Sequence, residues 1–126
     1  MPETRDIVRW EAINRTRGTV LGFRVRTATT FCSRLKGLLG TRELARDEGL
    51  WIAPCASVHS FGMRYPIDVC FLDRDGMVVG LFPALSPNRV IRPVARAAGA
   101  LELPAGTIAE TGTERGDRVE LIGVRA

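Results

Sequence analysis

The residues able to do chemistry gather between Cys55 and Asp73. The only histidine, His59, stands four residues after Cys55 and nine before Asp68, a carboxylate set inside the apolar run Ile67-Asp68-Val69-Cys70-Phe71-Leu72. An imidazole that titrates near neutral pH, working with a carboxylate, is the raw material of an acid-base pair. Cys55 and His59 at i and i+4 offer two ligands to a soft metal, or a thiol and its base. Two ligands do not make a structural zinc site, and Cys32, Cys70 and Asp68 add no paired spacing, so no metal is assigned. The glycines at Gly37 to Gly40 and Gly112 to Gly116 read as helix exits and turns, not as phosphate-cradling loops. No cofactor is assigned.

Asp68 shares a strand face with Cys70 and Leu72, while Ile67, Val69 and Phe71 take the other face. A carboxylate among apolar neighbours must be paired or hydrogen-bonded. As an anchor it accepts backbone amides or pairs with Arg64; as a functional group it is an acid, a base or a ligand contact. For His59 the alternatives are a pocket shared with Ser57, Ser60 and Arg64, or a surface position bonded to its own loop. The candidate catalytic residues are therefore His59 and Asp68. The candidate ligand contacts are His59, Ser60, Arg64, Asp68 and Arg89.

Short strands must position these groups. Leu21, Phe23 and Val25 alternate with Gly22, Arg24 and Arg26, the period of a half-buried strand with its arginines outward. Phe31, Leu35, Leu38 and Leu39 then fit a short amphipathic helix from Thr30 to Leu39, ended by Gly40. Leu44 to Asp47 adds a helical turn, and Gly49 to Pro54 is a short strand stopped by proline. A strand opens after Tyr65-Pro66 and turns at Asp73-Arg-Asp-Gly76 into Met77 to Phe82, giving a hairpin. Pro83 to Ala98 is loop-like. Ala100 to Leu103 is a strand, Pro104 to Gly112 a helical turn, Gly116-Asp117 a tight turn, and Arg118 to Val124 the last strand.

A chain of 126 residues with 45% hydrophobic content is enough for one domain, taken as residues 1–126 with 1–17 as an N-terminal extension. Three spaced cysteines suit a reducing compartment, which points to the cytoplasm. Met1 to Asn14 carries charge throughout and does not read as a signal peptide, and no apolar stretch is long enough to span a bilayer. The net charge of +4 is unevenly placed. From Arg15 to Arg42 there are seven basic residues and no acid, and Arg89, Arg92 and Arg96 form a second acid-free cluster. The first strip has only Phe23 and Phe31 as aromatics, so a solvated face is favoured over a nucleic-acid surface.

The ordered blocks Arg34-x-x-Gly37-Leu38-Leu39-Gly40-x-Arg42, Gly49-Leu50, Phe61-x-Met63-Arg64-x-x-Ile67-Asp68-x-x-Phe71-Leu72-Asp73-x-x-Gly76-x-Val78, Leu101-Glu102-Leu103-x-x-Gly106 and Gly116-Asp117 resemble those of the domain of unknown function 192 family. Gly62 stands where common members carry tryptophan, and Tyr65-Pro66 where they carry an Asn-Thr region. The resemblance runs from Gly18 onward and implies a compact strand-rich domain with no settled activity. Gly116-Asp117 also looks like the turn that recurs in small cradle-loop barrels. The expected fold is α+β, mainly β: a small barrel-like or strongly curved mixed or antiparallel sheet with one or two short helices.

Three functions fit these features. The first is a binding module that holds a small polar or anionic ligand in a cleft beside residues 55–73. The second is an enzyme with a His59/Asp68 acid-base site. The third is an interaction protein using a basic arginine surface. Oligomeric state is not legible in the chain.

Overall fold

The computed structural model describes residues 7–28, 44–60 and 63–125. It contains β1 (Ile7–Asn14), β2 (Thr19–Ala28), β3 (Glu48–Ile52), β4 (Ile67–Leu72), β5 (Val78–Leu85), β6 (Gly99–Pro104), α1 (Thr107–Thr111) and β7 (Val119–Arg125). The strands form one seven-stranded sheet in the order β5-β4-β6-β3-β2-β1-β7. β2 and β3 run parallel and every other pair is antiparallel, so the fold is α+β and mainly β with a mixed sheet. The helix expected over Thr30 to Leu39 lies outside the described residues.

The sheet is not closed, which replaces the barrel-like expectation with an open one. Its two edges nevertheless meet at one end. Met77 and Arg118 form an isolated antiparallel bridge, and the Val78 amide donates to the Asp117 carbonyl at 2.8 Å. Gly76 makes this approach feasible: its φ is 84°, and a Cβ there would sit 2.4 Å from the Val119 carbonyl oxygen.

β4 is buried on both faces, as a near-continuous apolar run between two paired neighbours must be. Ile67, Val69 and Phe71 pack with Leu50, Ile52, Val58, Ile91 and Ala100 on one side. Cys70 and Leu72 pack with Leu21, Val25, Leu101, Leu103 and Val119 on the other. The first cluster is completed by Val58, Met63 and Ile91, which come from connecting segments. Those segments therefore lie against the sheet as a covering layer.

Three local expectations change. Residues 7–14, expected within an N-terminal extension, form β1 between β2 and β7, with Ala12 and Asn14 fully buried. Phe23, expected on the buried face of β2, is 50% exposed. A register shift between Trp10↔Val25 and Ala12↔Gly22 inserts an extra β2 residue, and the amides of Phe23 and Arg24 both donate to the Asp47 carbonyl. Finally, β5 continues through Pro83 to Leu85, where a loop was expected. Proline is tolerated because β5 is an edge strand of the sheet.

Candidate functional site

Asp68 is fully buried and both its oxygens are occupied. Oδ1 accepts the Ala84 amide at 2.8 Å and Oδ2 the Ile108 amide at 2.8 Å. Of the two anchoring alternatives, the structure shows the one with backbone amides. The carboxylate thereby fastens the end of β5 and the start of α1 to β4.

Ser60 does comparable work on the covering layer. Its side chain is buried; Oγ donates to the Ser86 carbonyl at 2.7 Å and accepts the Arg89 amide at 2.8 Å. Its backbone adds an amide bond to the Arg89 carbonyl, and its carbonyl accepts the Asn88 amide. The neighbouring His59 is half-buried and forms an isolated antiparallel bridge with Val90. Three sequence candidates, His59, Ser60 and Arg89, are thus brought together by one short backbone pairing. Cys55 and His59 lie on an irregular segment with a bend at Ala56, not on a helix, so their i, i+4 spacing carries none of the side-chain neighbourhood it has on a helix. The Cys55 thiol donates to the Ser57 carbonyl at 3.0 Å. No group of three or more metal-ligating side chains forms among the described residues.

Between β5 and residues 86–94 runs a groove of about 650 Å³. Leu81, Phe82, Leu85, Ile91 and Val94 give it an apolar lining, and Arg89 and Arg92 stand on it as cations. Val90 beside them is 65% exposed. Asp68 holds one wall through Ala84, and Ser60 holds the other through Ser86 and Arg89. Of the predicted ligand contacts, Arg89 lines this groove, Ser60 and Asp68 support its walls, and His59 is bridged to Val90. Arg64 is exposed and makes no ion pair among the described residues.

Positive charge is distributed differently from its order in the sequence. Within the Arg15 to Arg42 strip, Arg15 pairs with Glu120, Arg17 with Glu114 and Asp117, and Arg24 with Asp47. By contrast, Arg89, Arg92 and Arg96 have no acidic partner among the described residues and are exposed. Among the described residues the second cluster is therefore uncompensated throughout, whereas in the first strip Arg15, Arg17 and Arg24 are neutralised and Arg26 is not.

The sequence profile of DUF192, described as "Uncharacterized ACR", matches residues 12–121. The chain belongs to the DUF192 family. This DUF192 chain is 37% identical over 113 residues to a UPF0127 protein of Thermococcus sibiricus, covering 86% of the chain and 72% of that protein. It is 35% identical over 113 residues to one of Pyrococcus furiosus, covering 86% and 95%. A crystal structure of a protein of unknown function from Novosphingobium aromaticivorans aligns with a TM-score of 0.76 at 26% identity, over 90% of this chain and 84% of that one. Another from Sinorhizobium meliloti, described as a candidate transcription regulator, aligns with a TM-score of 0.73 at 26% identity, over 90% and 91%.

Two further polar groups in this DUF192 chain escaped the sequence reading. Glu102 is fully buried on β6, in register with Leu50 and Val69, on the face opposite Leu101 and Leu103. A glutamate alternating with leucines in an interior strand is the signal that marks it. The other is Asp117, whose Oδ2 accepts Asn14 Nδ2 at 3.0 Å, Arg17 Nε at 3.0 Å and the Glu114 amide at 2.9 Å. Burial opposes its ionisation, but the bonds from Asn14, Arg17 and Glu114 and the Arg17 charge outweigh that and hold the carboxyl below its ordinary value.

Proposed function

We propose that the protein is a binding module for a small anion with an apolar body, taken up in the groove between β5 and residues 86–94. One observation carries this reading: an apolar groove bears two exposed arginines, Arg89 and Arg92, with no acidic partner among the described residues. A concave apolar surface with a few convergent polar groups is the usual form of a small-ligand site. Arginine meets a carboxylate or phosphate with two parallel hydrogen bonds, so the acid group lies at Arg89 and Arg92 and the apolar body lies along Phe82 and Leu85. Asp68 and Ser60 act as positioning residues in this scheme. Both Asp68 oxygens accept amides, which weighs against its service as the base of an acid-base pair with His59.

The description of the Sinorhizobium protein would call for nucleic-acid contact. Here Arg15, Arg17 and Arg24 are paired with Glu120, Glu114, Asp117 and Asp47, which leaves Arg26 as the exposed β2 arginine without an acidic partner among the described residues and favours the small-ligand reading.

Isothermal titration with decanoate tests the assignment, with butanoate as the control for the apolar body. Decanoate should bind and butanoate should bind far more weakly. Replacing Arg89 and Arg92 together with alanine should weaken decanoate about tenfold, which is about 1.4 kcal/mol, at unchanged melting temperature. Absence of decanoate binding, or equal binding by the double variant, would overturn the assignment.

A further inference from the structure

The turn that closes the β4–β5 hairpin and the segment that leads into β6 face each other across a second groove of about 800 Å³, lined by Cys55, Arg74, Asp75 and Arg96 among others. Both walls are fixed by backbone bonds. On one side Asp73 Oδ1 accepts the amides of Asp75 at 2.8 Å and Met77 at 2.9 Å, making a rigid turn. On the other, the Ala98 amide donates to the Leu72 carbonyl at 2.8 Å, and the Cys55 amide to the Ala98 carbonyl at 3.0 Å.

Arg96 is the informative residue. It sits third in the turn closed by the Ala97 amide on the Val94 carbonyl, with a φ of 68°. Turns of that shape favour glycine at this position, because an L-residue with a Cβ is disfavoured in the left-handed region. Arg96 is exposed and has no acidic partner among the described residues, so no ion pair there offsets the cost of its backbone conformation. Its long cationic side chain at a position suited to glycine points to a use outside the fold.

The charges on the groove decide the ligand class. Arg74 and Arg96 form no ion pair with Asp73 or Asp75 but equal them in number, so the lining carries no net charge to attract a polyanion. Asp73 Oδ1 is occupied by two amides, and Asp73 is less exposed than Asp75. The side chains of Arg74, Arg96 and Asp75 make no hydrogen bond or ion pair among the described residues. Two guanidinium groups suit a carboxylate, and the exposed Asp75 carboxylate suits an ammonium. A groove of about 800 Å³ has room for a ligand longer than one amino acid. We infer that this groove is a site for a short peptide with both termini free, its C-terminal carboxylate on Arg96 and Arg74 and its N-terminal ammonium on Asp75. The site is separate from the Arg89/Arg92 groove and does not depend on what binds there.

Titration of the full chain with tri-alanine, followed by amide chemical shifts in NMR, tests this. Shifts should concentrate at residues 54–56, 73–75 and 96–98 and saturate. Tri-alanine with acetylated and amidated ends should bind at least fivefold more weakly. Arg96→Gly should also bind at least fivefold more weakly, with a melting temperature that is unchanged or raised, since glycine relaxes the turn. Arg96→Asn, which tolerates the same backbone, serves as the second variant and should lose binding equally. Replacing Arg89 and Arg92 with alanine should leave tri-alanine binding intact. The proposal is overturned if tri-alanine causes no saturable shift, if the blocked peptide or the Arg96 variants bind as well, or if inorganic phosphate binds more tightly than tri-alanine.

Discussion

Asp68 and Ala84 are joined across the β4–β5 hairpin by a hydrogen bond that fixes an unusual backbone. The Ala84 amide donates to Asp68 Oδ1 at 2.8 Å, and Ala84 has a φ of 49°, in the left-handed region. The second oxygen takes the Ile108 amide, so one buried carboxylate determines where β5 ends and where α1 begins. A charged acceptor is strong enough for this, because a hydrogen bond to an ionised group contributes about 1.5–3 kcal/mol against about 1 kcal/mol for a neutral one.

Asp68→Asn tests that role directly. The amide has the same shape but only one carbonyl oxygen, so its NH2 faces either the Ala84 or the Ile108 amide and leaves a buried donor unsatisfied. Loss of roughly 2–4 kcal/mol in urea unfolding is expected. If the variant is as stable as the parent, Asp68 is not the anchor described here.

The hairpin carrying Asp68 was legible in the sequence for clear physical reasons. Alternation from Ile67 to Leu72 assigned each residue to the cluster it joins, and Asp73-Arg-Asp-Gly76 marked the turn. β1 was not legible, because its inward positions, Trp10, Ala12 and Asn14, include a small and a polar residue and mask the period of two. The neutralised arginines could not be read at all. Arg15 and Glu120 are 105 positions apart, and Arg17 and Asp117 are 100 apart, so only the fold reveals the pairing. Ser60 was chosen as a ligand contact on its residue type, whereas its hydroxyl is taken up by Ser86 and Arg89 backbone groups.

Gly76 should tolerate no side chain. Gly76→Ala places a Cβ against the Val119 carbonyl at 2.4 Å and adds the cost of a positive φ, so about 2 kcal/mol or more should be lost in unfolding. Amide exchange at Val78 and Val119 should accelerate more than at β6, since those two bonds join the sheet edges. Uniform acceleration would mean that the edge contact is not a local structural unit.

Cys70 should be inert in the folded protein. Burial on β4, with a smaller contribution from the Asp117 charge, pushes its thiol up to about 12. In a Cys32→Ser, Cys55→Ser variant, Ellman's reagent at pH 8 should label Cys70 only after denaturant is added. The sign of the linkage follows: the unfolded thiol ionises from about pH 8.5 while the folded one stays protonated, so stability falls as pH rises above that value. Rapid labelling of the native variant would show that β4 opens readily.

Asp117 should make the fold sensitive to acid. Its carboxyl lies below the ordinary value of 3.8, so the unfolded chain takes up its proton first as pH falls. The stabilisation is fully present above that value and is lost as pH drops through the folded one. The carboxylate accepts Asn14, Arg17 and Glu114 together, and Arg17 also pairs with Glu114, so protonation weakens the link between the β1–β2 turn and the start of β7. Asp117→Asn should lower stability at pH 7 and flatten the dependence of unfolding free energy on pH below about 4. Asn14→Ala removes a donor from the same oxygen and should move the acid transition of the parent to higher pH. If both variants retain the parental acid profile, another carboxylate controls acid unfolding and the Asn14–Asp117 bond serves only to pack the turn.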